Sequence, residues 1–165
     1  MRLSFSILTS FLILSSCDKE NAVAVDGYES DIVGSWSRID VVPSGVSNTD
    51  LRYFDMITTY TFDPDKQYSY KVEIYGFEDE NPEEVMGSSE NIGTYEVSGD
   101  SLFIKAEVNT SWEKGFHPDP QTIMLNGIVY GTKFKIVADR LMLYYISYPA
   151  DAPVPTQMGY DKVNP

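Results

Sequence analysis

From Gly34 onward the chain is a succession of short β-branched and aromatic runs, each bounded by turn residues, with no long amphipathic helix between them. Such side chains pack well on a pleated surface, so the runs predict strands. The expected segments are Gly34 to Val42, Ile57 to Phe62, Gln67 to Tyr75, Ile92 to Val97, Ser101 to Val108, Gln121 to Leu125, Ile128 to Val137 and Leu141 to Ser147. Gln157 to Val163 is a candidate edge strand, and Leu51 to Asp55 a candidate helical turn. Without helices there are no crossover connections, which excludes a parallel sheet.

The turns point the same way. Asp63-Pro64-Asp65-Lys66 predicts a hairpin in which the proline presets the turn dihedral. Ser98-Gly99-Asp100 and Ala138-Asp139-Arg140 predict two more, and Asn126-Gly127 a further one, since both its residues tolerate positive φ. Gly76 to Asn91 and Asn109 to Pro120 are expected as long loops, the first acidic and the second carrying Trp112, Phe116 and His117. Tyr68, Tyr70, Val72 and Ile74 alternate with Ser69, Lys71, Glu73 and Tyr75, the pattern of an antiparallel sheet with one wet face. Leu102, Ile104, Ala106 and Val108 alternate likewise with Phe103, Lys105 and Glu107. About eight hairpin-connected strands make an all-β, up-and-down antiparallel fold that closes into a barrel or packs as a sandwich. Closure is the expectation adopted, because it removes exposed edges.

The N-terminal segment has a different character. Arg2 precedes an apolar stretch from Leu3 to Leu14, of signal-peptide length and too short to span a membrane as a helix. Leu14-Ser15-Ser16-Cys17 ends in the only cysteine and resembles the lipobox of bacterial lipoproteins. That resemblance implies a signal peptide over 1–16 and, on Cys17, a diacylglycerol with a palmitate-type acyl chain. More than one chain gives stable anchoring. Residues 17–31 then read as a lipidated tether, 32–148 as the barrel and 149–165 as a C-terminal tail. With its only thiol acylated, the protein would have no disulfide. Asp18-Lys19-Glu20 is similar to envelope sorting signals, and outer membrane, periplasmic or surface-facing, is the expected location.

The sequence carries 25 acidic and 12 basic side chains, and loss of Arg2 with the leader takes the net charge from −13 to −14. Such a charge opposes nucleic-acid phosphates, and no basic stripe offsets it, so no nucleic-acid partner is expected. No nucleophile elbow, paired-histidine zinc motif or phosphate-cradling glycine loop occurs, so no catalytic role is expected. His117 is the only histidine, which disfavours a nitrogen/sulfur metal site. Asp63, Asp65 and Gln67 mimic the start of an EF-hand loop, but Tyr68 stands where its glycine belongs and Ile74 where its last glutamate belongs. Neither metal nor cofactor is expected.

Aromatic residues make up 13% of the chain, enough to dominate its interior. Trp36 is expected to plug one barrel end, its indole nitrogen bonded to a carbonyl. Tyr68, Tyr70, Tyr95, Phe134 and Tyr145 are expected on the inner face. An eight-stranded barrel is either filled by such side chains or holds one small ligand, and both readings stand at this point. Trp112 and Phe116 are candidates to cap the barrel or to stack on a sugar or apolar ligand.

Ile32-Val33-Gly34-Ser35-Trp36, Tyr60-Thr61-Phe62-Asp63-Pro64-Asp65, Gly93-Thr94-Tyr95-Glu96-Val97 running into Ser98-Gly99-Asp100-Ser101-Leu102, and Asp139-Arg140-Leu141-Met142-Leu143 occur in this order. Together they resemble the lipocalin-like domain family of bacterial envelope lipoproteins. The Thr-Asp-Tyr-like turn of lipocalins is missing, and Arg140 matches only loosely the late arginine that packs on their first-strand tryptophan. The resemblance implies a barrel with an enclosed or mouth-facing pocket for a small apolar or amphipathic ligand. The alternative is a filled barrel whose loops bind an envelope protein or a glycan.

Overall fold

The computed structural model describes residues 31–44, 52–77 and 80–164; the leader, Cys17 and the tether through residue 30 lie outside them. Nine strands form one antiparallel sheet: β1 Gly34–Pro43, β2 Tyr53–Phe62, β3 Gln67–Phe77, β4 Val85–Ser98, β5 Ser101–Glu113, β6 His117–Met124, β7 Val129–Val137, β8 Arg140–Ser147 and β9 Val154–Lys162. The sheet closes on itself through β1-β2-β3-β4-β5-β7-β8-β9, an eight-stranded barrel, with β6 as an extra strand on β5. The antiparallel barrel expected from the hairpin pattern is therefore the observed fold.

Several local expectations are corrected. The segment expected as a tail or edge strand holds β9, which lies inside the ring and pairs with β8 along its length and with β1 at its end. The candidate helical turn is strand from Tyr53 onward, because β2 pairs with β1 as far as Pro43. Polar residues hid strand in both long loops. Asn109, Thr110 and Ser111 continue β5 opposite Asn91, Glu90 and Ser89. Asn109 Nδ2 donates to Ser89 Oγ at 2.9 Å and to Asn91 Oδ1 at 2.8 Å, side-chain bonds that suit polar residues to this ladder. Trp112 thus belongs to β5, and only Lys114 to Phe116 connect it to β6.

Asn126-Gly127 makes no hairpin. Both β6 and β7 pair antiparallel with β5, one after the other along the same edge, so they are two pieces of one interrupted strand. A type I′ turn needs positive φ at both central residues, and here only Gly127 has it, at 63°. Val108 falls out of the alternation for a related reason. The register shifts between Ile92 and Gly93, so Val108 opposes Ile92 while Ala106 opposes Gly93.

One end of the barrel is packed solid. Trp36, Phe62, Leu102 and Leu141 are fully buried there, with Tyr68, Tyr95, Phe134 and Tyr160 nearly so. Trp36 Nε1 donates to the Ile32 carbonyl at 2.7 Å, as the sequence suggested, and Ile32 itself is buried. The cation over the Trp36 ring is Lys162, its Nζ 5.3 Å from the ring centre, rather than Arg140. Tyr95 meets Phe62 edge-on at 5.0 Å and donates its hydroxyl to the Asp63 carbonyl at 2.8 Å, tying the β2–β3 turn into the plug. In that turn Lys66 N–H bonds the Asp63 carbonyl across Pro64, and Lys66 takes φ 69°, the left-handed residue of a three-residue hairpin loop.

Gly93 permits the register shift. A Cβ there would lie 2.0 Å from the Lys105 carbonyl oxygen, a backbone atom that cannot yield without parting β4 from β5. Gly93→Ala is expected to lower stability by about 1–3 kcal/mol, the usual range for forcing extra atoms into a packed site. A fall in the urea midpoint checks this, and an unchanged midpoint would refute the close approach.

Candidate functional site

The inner face changes character away from the plug. Inward positions there include Thr58, Ser89, Asn91, Asn109 and Ser111, small polar side chains paired or adjacent across β2 to β5. An open cavity of about 940 Å³ lies on the other side of the ring, against β5, β7, β8 and β9. Tyr60, Tyr70, Tyr130, Tyr145, Tyr148 and Tyr160 line it, with Ile104, Leu143 and Met158. This is within the size range of small-molecule sites, with apolar walls and few polar groups.

The floor is an aromatic cluster. Tyr60 lies 4.6 Å from Tyr70 and meets Tyr160 edge-on at 5.2 Å, and it stacks on Phe62 of the plug at 5.8 Å. Aromatic pairs of this kind are worth about 0.5–1.5 kcal/mol beyond their burial. Burial drives the Tyr60 phenol far above the ordinary tyrosine value, aided by Tyr160 and Tyr70. Burial also pushes Tyr160 up to about 12. Tyr70 is raised by burial against an opposing hydrogen bond with Thr58. These phenols are therefore neutral O–H donors at any physiological pH.

One ion pair sits on the inward register of β1. Arg38 Nε donates to Asp40 Oδ1 at 2.8 Å, and a second guanidinium nitrogen reaches the same oxygen. That bond raises the guanidinium pKa further, with Tyr160 and Tyr145 as more distant electrostatic neighbours. Both side chains are partly buried, and they border a separate open depression of about 720 Å³ with Met142 and Gln157 rather than the tyrosine-lined cavity.

The residues singled out from the sequence divide into three groups. Tyr70 and Tyr145 line the cavity. Tyr68, Tyr95 and Phe134 are buried in the plug, below any ligand-accessible space. Trp112 borders a separate depression of about 210 Å³ with Val72, His117 and Gln121, where Gln121 Nε2 lies 3.2 Å from His117 Nδ1. Phe116 is 77% exposed in the β5–β6 turn and caps nothing. Of the residues that line the cavity, Tyr60, Tyr130, Tyr148 and Tyr160 were not foreseen. Tyr60 was legible as the in-phase neighbour of Phe62. Tyr160 was hidden by reading its strand as a tail. Among the described residues, no three His, Cys, Asp or Glu side chains gather where they could hold a metal ion.

The chain matches no family model, no curated protein and no solved structure. The cavity and its chemistry therefore carry the functional argument.

Folding raises Tyr160, and also Tyr68, to about 12 from the ordinary 10.0. The stability they contribute is complete below 10.0 and is lost as pH climbs through about 12. Alkaline titration followed by phenolate absorbance is expected to show exposed tyrosines ionising first and a late group ionising together with loss of near-ultraviolet circular dichroism. A single titration near 10 with structure intact would contradict the buried cluster.

Proposed function

We propose that this protein is a lipid-anchored, extracytoplasmic, lipocalin-like binder of a small apolar or amphipathic ligand, with no catalytic role. The observation that carries this is the half-filled barrel: a solid aromatic plug at one end and a tyrosine-lined cavity of about 940 Å³ above it. Apolar ring faces supply binding area, and neutral phenols supply hydrogen-bond donors to an oxygen-bearing ligand. The chain enters the barrel at the packed end, where Ile32 meets Trp36. Anchoring at Cys17 in the outer membrane would then tether that end and leave the cavity mouth away from the lipid.

Exposed Phe116 and the depression beside Trp112 favour a second reading, an interaction module for an envelope protein or a glycan. Native mass spectrometry of protein purified from cell envelopes separates the two. A reproducible mass increment, lost on denaturation and absent from Tyr70→Trp, supports the carrier. Tyr70 lies on the cavity floor, and the larger indole is expected to reduce uptake about tenfold. Unchanged uptake by Tyr70→Trp would remove the cavity from the account. For the anchor, Cys17→Ser is expected to move the protein from the membrane to the soluble fraction, and continued sedimentation with membranes would refute the lipobox reading.

A further inference from the structure

The cavity is not confined to the barrel interior. Pairing between β7 and β8 stops at Lys133 and Tyr144. Beyond that point β7 continues to Val129 on β5, while β8 continues to Ser147 on β9. The two strands part, and across the gap Thr132 Oγ1 donates to the Tyr144 carbonyl at 2.8 Å in place of a ladder bond. Successive residues of a strand face opposite sides of a sheet. Yet the same cavity is lined by Ile104 and its neighbour Phe103, and by Tyr145 and its neighbour Ile146. A single space touching both faces of β5 and of β8 passes through the wall.

The outer lip of this opening is itself built for contact. Phe103 lies across Gly131, where a Cβ would come within 3.2 Å of the ring, so the absence of a side chain at 131 gives the ring its place. Tyr148 and Ile146 are exposed beside it. Polar groups stand at the lip as well: Lys133 Nζ bonds Ser101 Oγ at 2.9 Å and pairs with Asp100.

We propose that the ligand site runs through the barrel wall between β7 and β8 and takes an elongated amphipath. Its apolar portion lies inside on Tyr60, Tyr70 and Ile104, and its oxygen-bearing end lies outside among Phe103, Ser101 and Lys133. This rests on the cavity being the binding site, and it adds a route of entry and a length requirement that an end-opening pocket would not have.

The test uses the full chain carrying Cys17→Ser and two probes. These are cis-parinaric acid, a long polyene carboxylate whose fluorescence rises in apolar sites, and naphthol, short enough to lie wholly inside and measured by displacement. Phe103→Ala is expected to weaken parinarate about tenfold, equivalent to about 1.4 kcal/mol, and to leave naphthol unchanged. Gly131→Leu, which crowds the lip from the other strand, is expected to give the same split, so the outcome does not hang on one variant. Circular dichroism confirms that both retain the fold. Parinarate binding untouched by both variants, or both probes weakened equally, would overturn the through-wall site and leave the interior cavity standing. Failure of the unsubstituted lip to bind either probe would overturn the cavity reading itself, and this inference with it.

Discussion

The ring is held shut where Trp36 sits. β1 runs ten residues and pairs with β2 along all of them, but on its other side only Trp36 and Ser37 pair, with Lys162 and Asp161 of β9. The barrel therefore closes over two residue pairs, and the buried tryptophan stands at that junction. Its indole binds the Ile32 carbonyl, its face receives Lys162, and Val163 N–H reaches the Ser35 carbonyl one step further on. Burying a large aromatic is worth roughly 1.5–3 kcal/mol, comparable to two ladder hydrogen bonds at about 1 kcal/mol each. The packing at Trp36 and the short strand pairing together close the ring.

Closing at one end leaves the other free to open. The β8–β9 hairpin is joined to β7 by five pairs and to β1 by two, all at its base, so its tip half pairs with neither. A cavity of this kind needs a wall segment not zipped to its neighbours, and this hairpin supplies it. The phenols of Tyr60, Tyr70 and Tyr160 then give a lining that neither collapses, because the rings brace each other, nor ionises under physiological conditions.

The architecture was legible because antiparallel hairpins announce themselves locally, through alternation and turn residues. Tyr68 to Ile74 and the Asp63 to Lys66 turn needed only neighbouring residues to be read. What was missed depends on distant partners. Asn109 to Ser111 are strand because β4 lies opposite, and Asn126-Gly127 is a bulge because β5 continues past it and pairs with both flanks. The site was half legible for the same reason. Tyr70 and Tyr145 follow from phase alone, whereas Tyr68 and Tyr70 share a phase but differ in depth. Depth is set by where the plug ends, which no local period encodes.

A barrel with parted walls carries the hazard that closure normally removes, since unpaired strand edges recruit other chains. The distribution of proline answers it. Proline cannot donate to an added strand, so it blunts an edge. The strand prolines stand at Pro43 on the end of β1 that lacks a β9 partner, Pro118 and Pro120 on outlying β6, and Pro155 on the half of β9 that pairs with β8 but not with β1. Each lies beside a stretch without a second partner, and none lies in β2 to β5, where the ladder is continuous on both sides of β3 and β4. The acidic surplus of the chain adds repulsion between copies. Proline and like charge thus stand where the sheet leaves strand edges without a second partner.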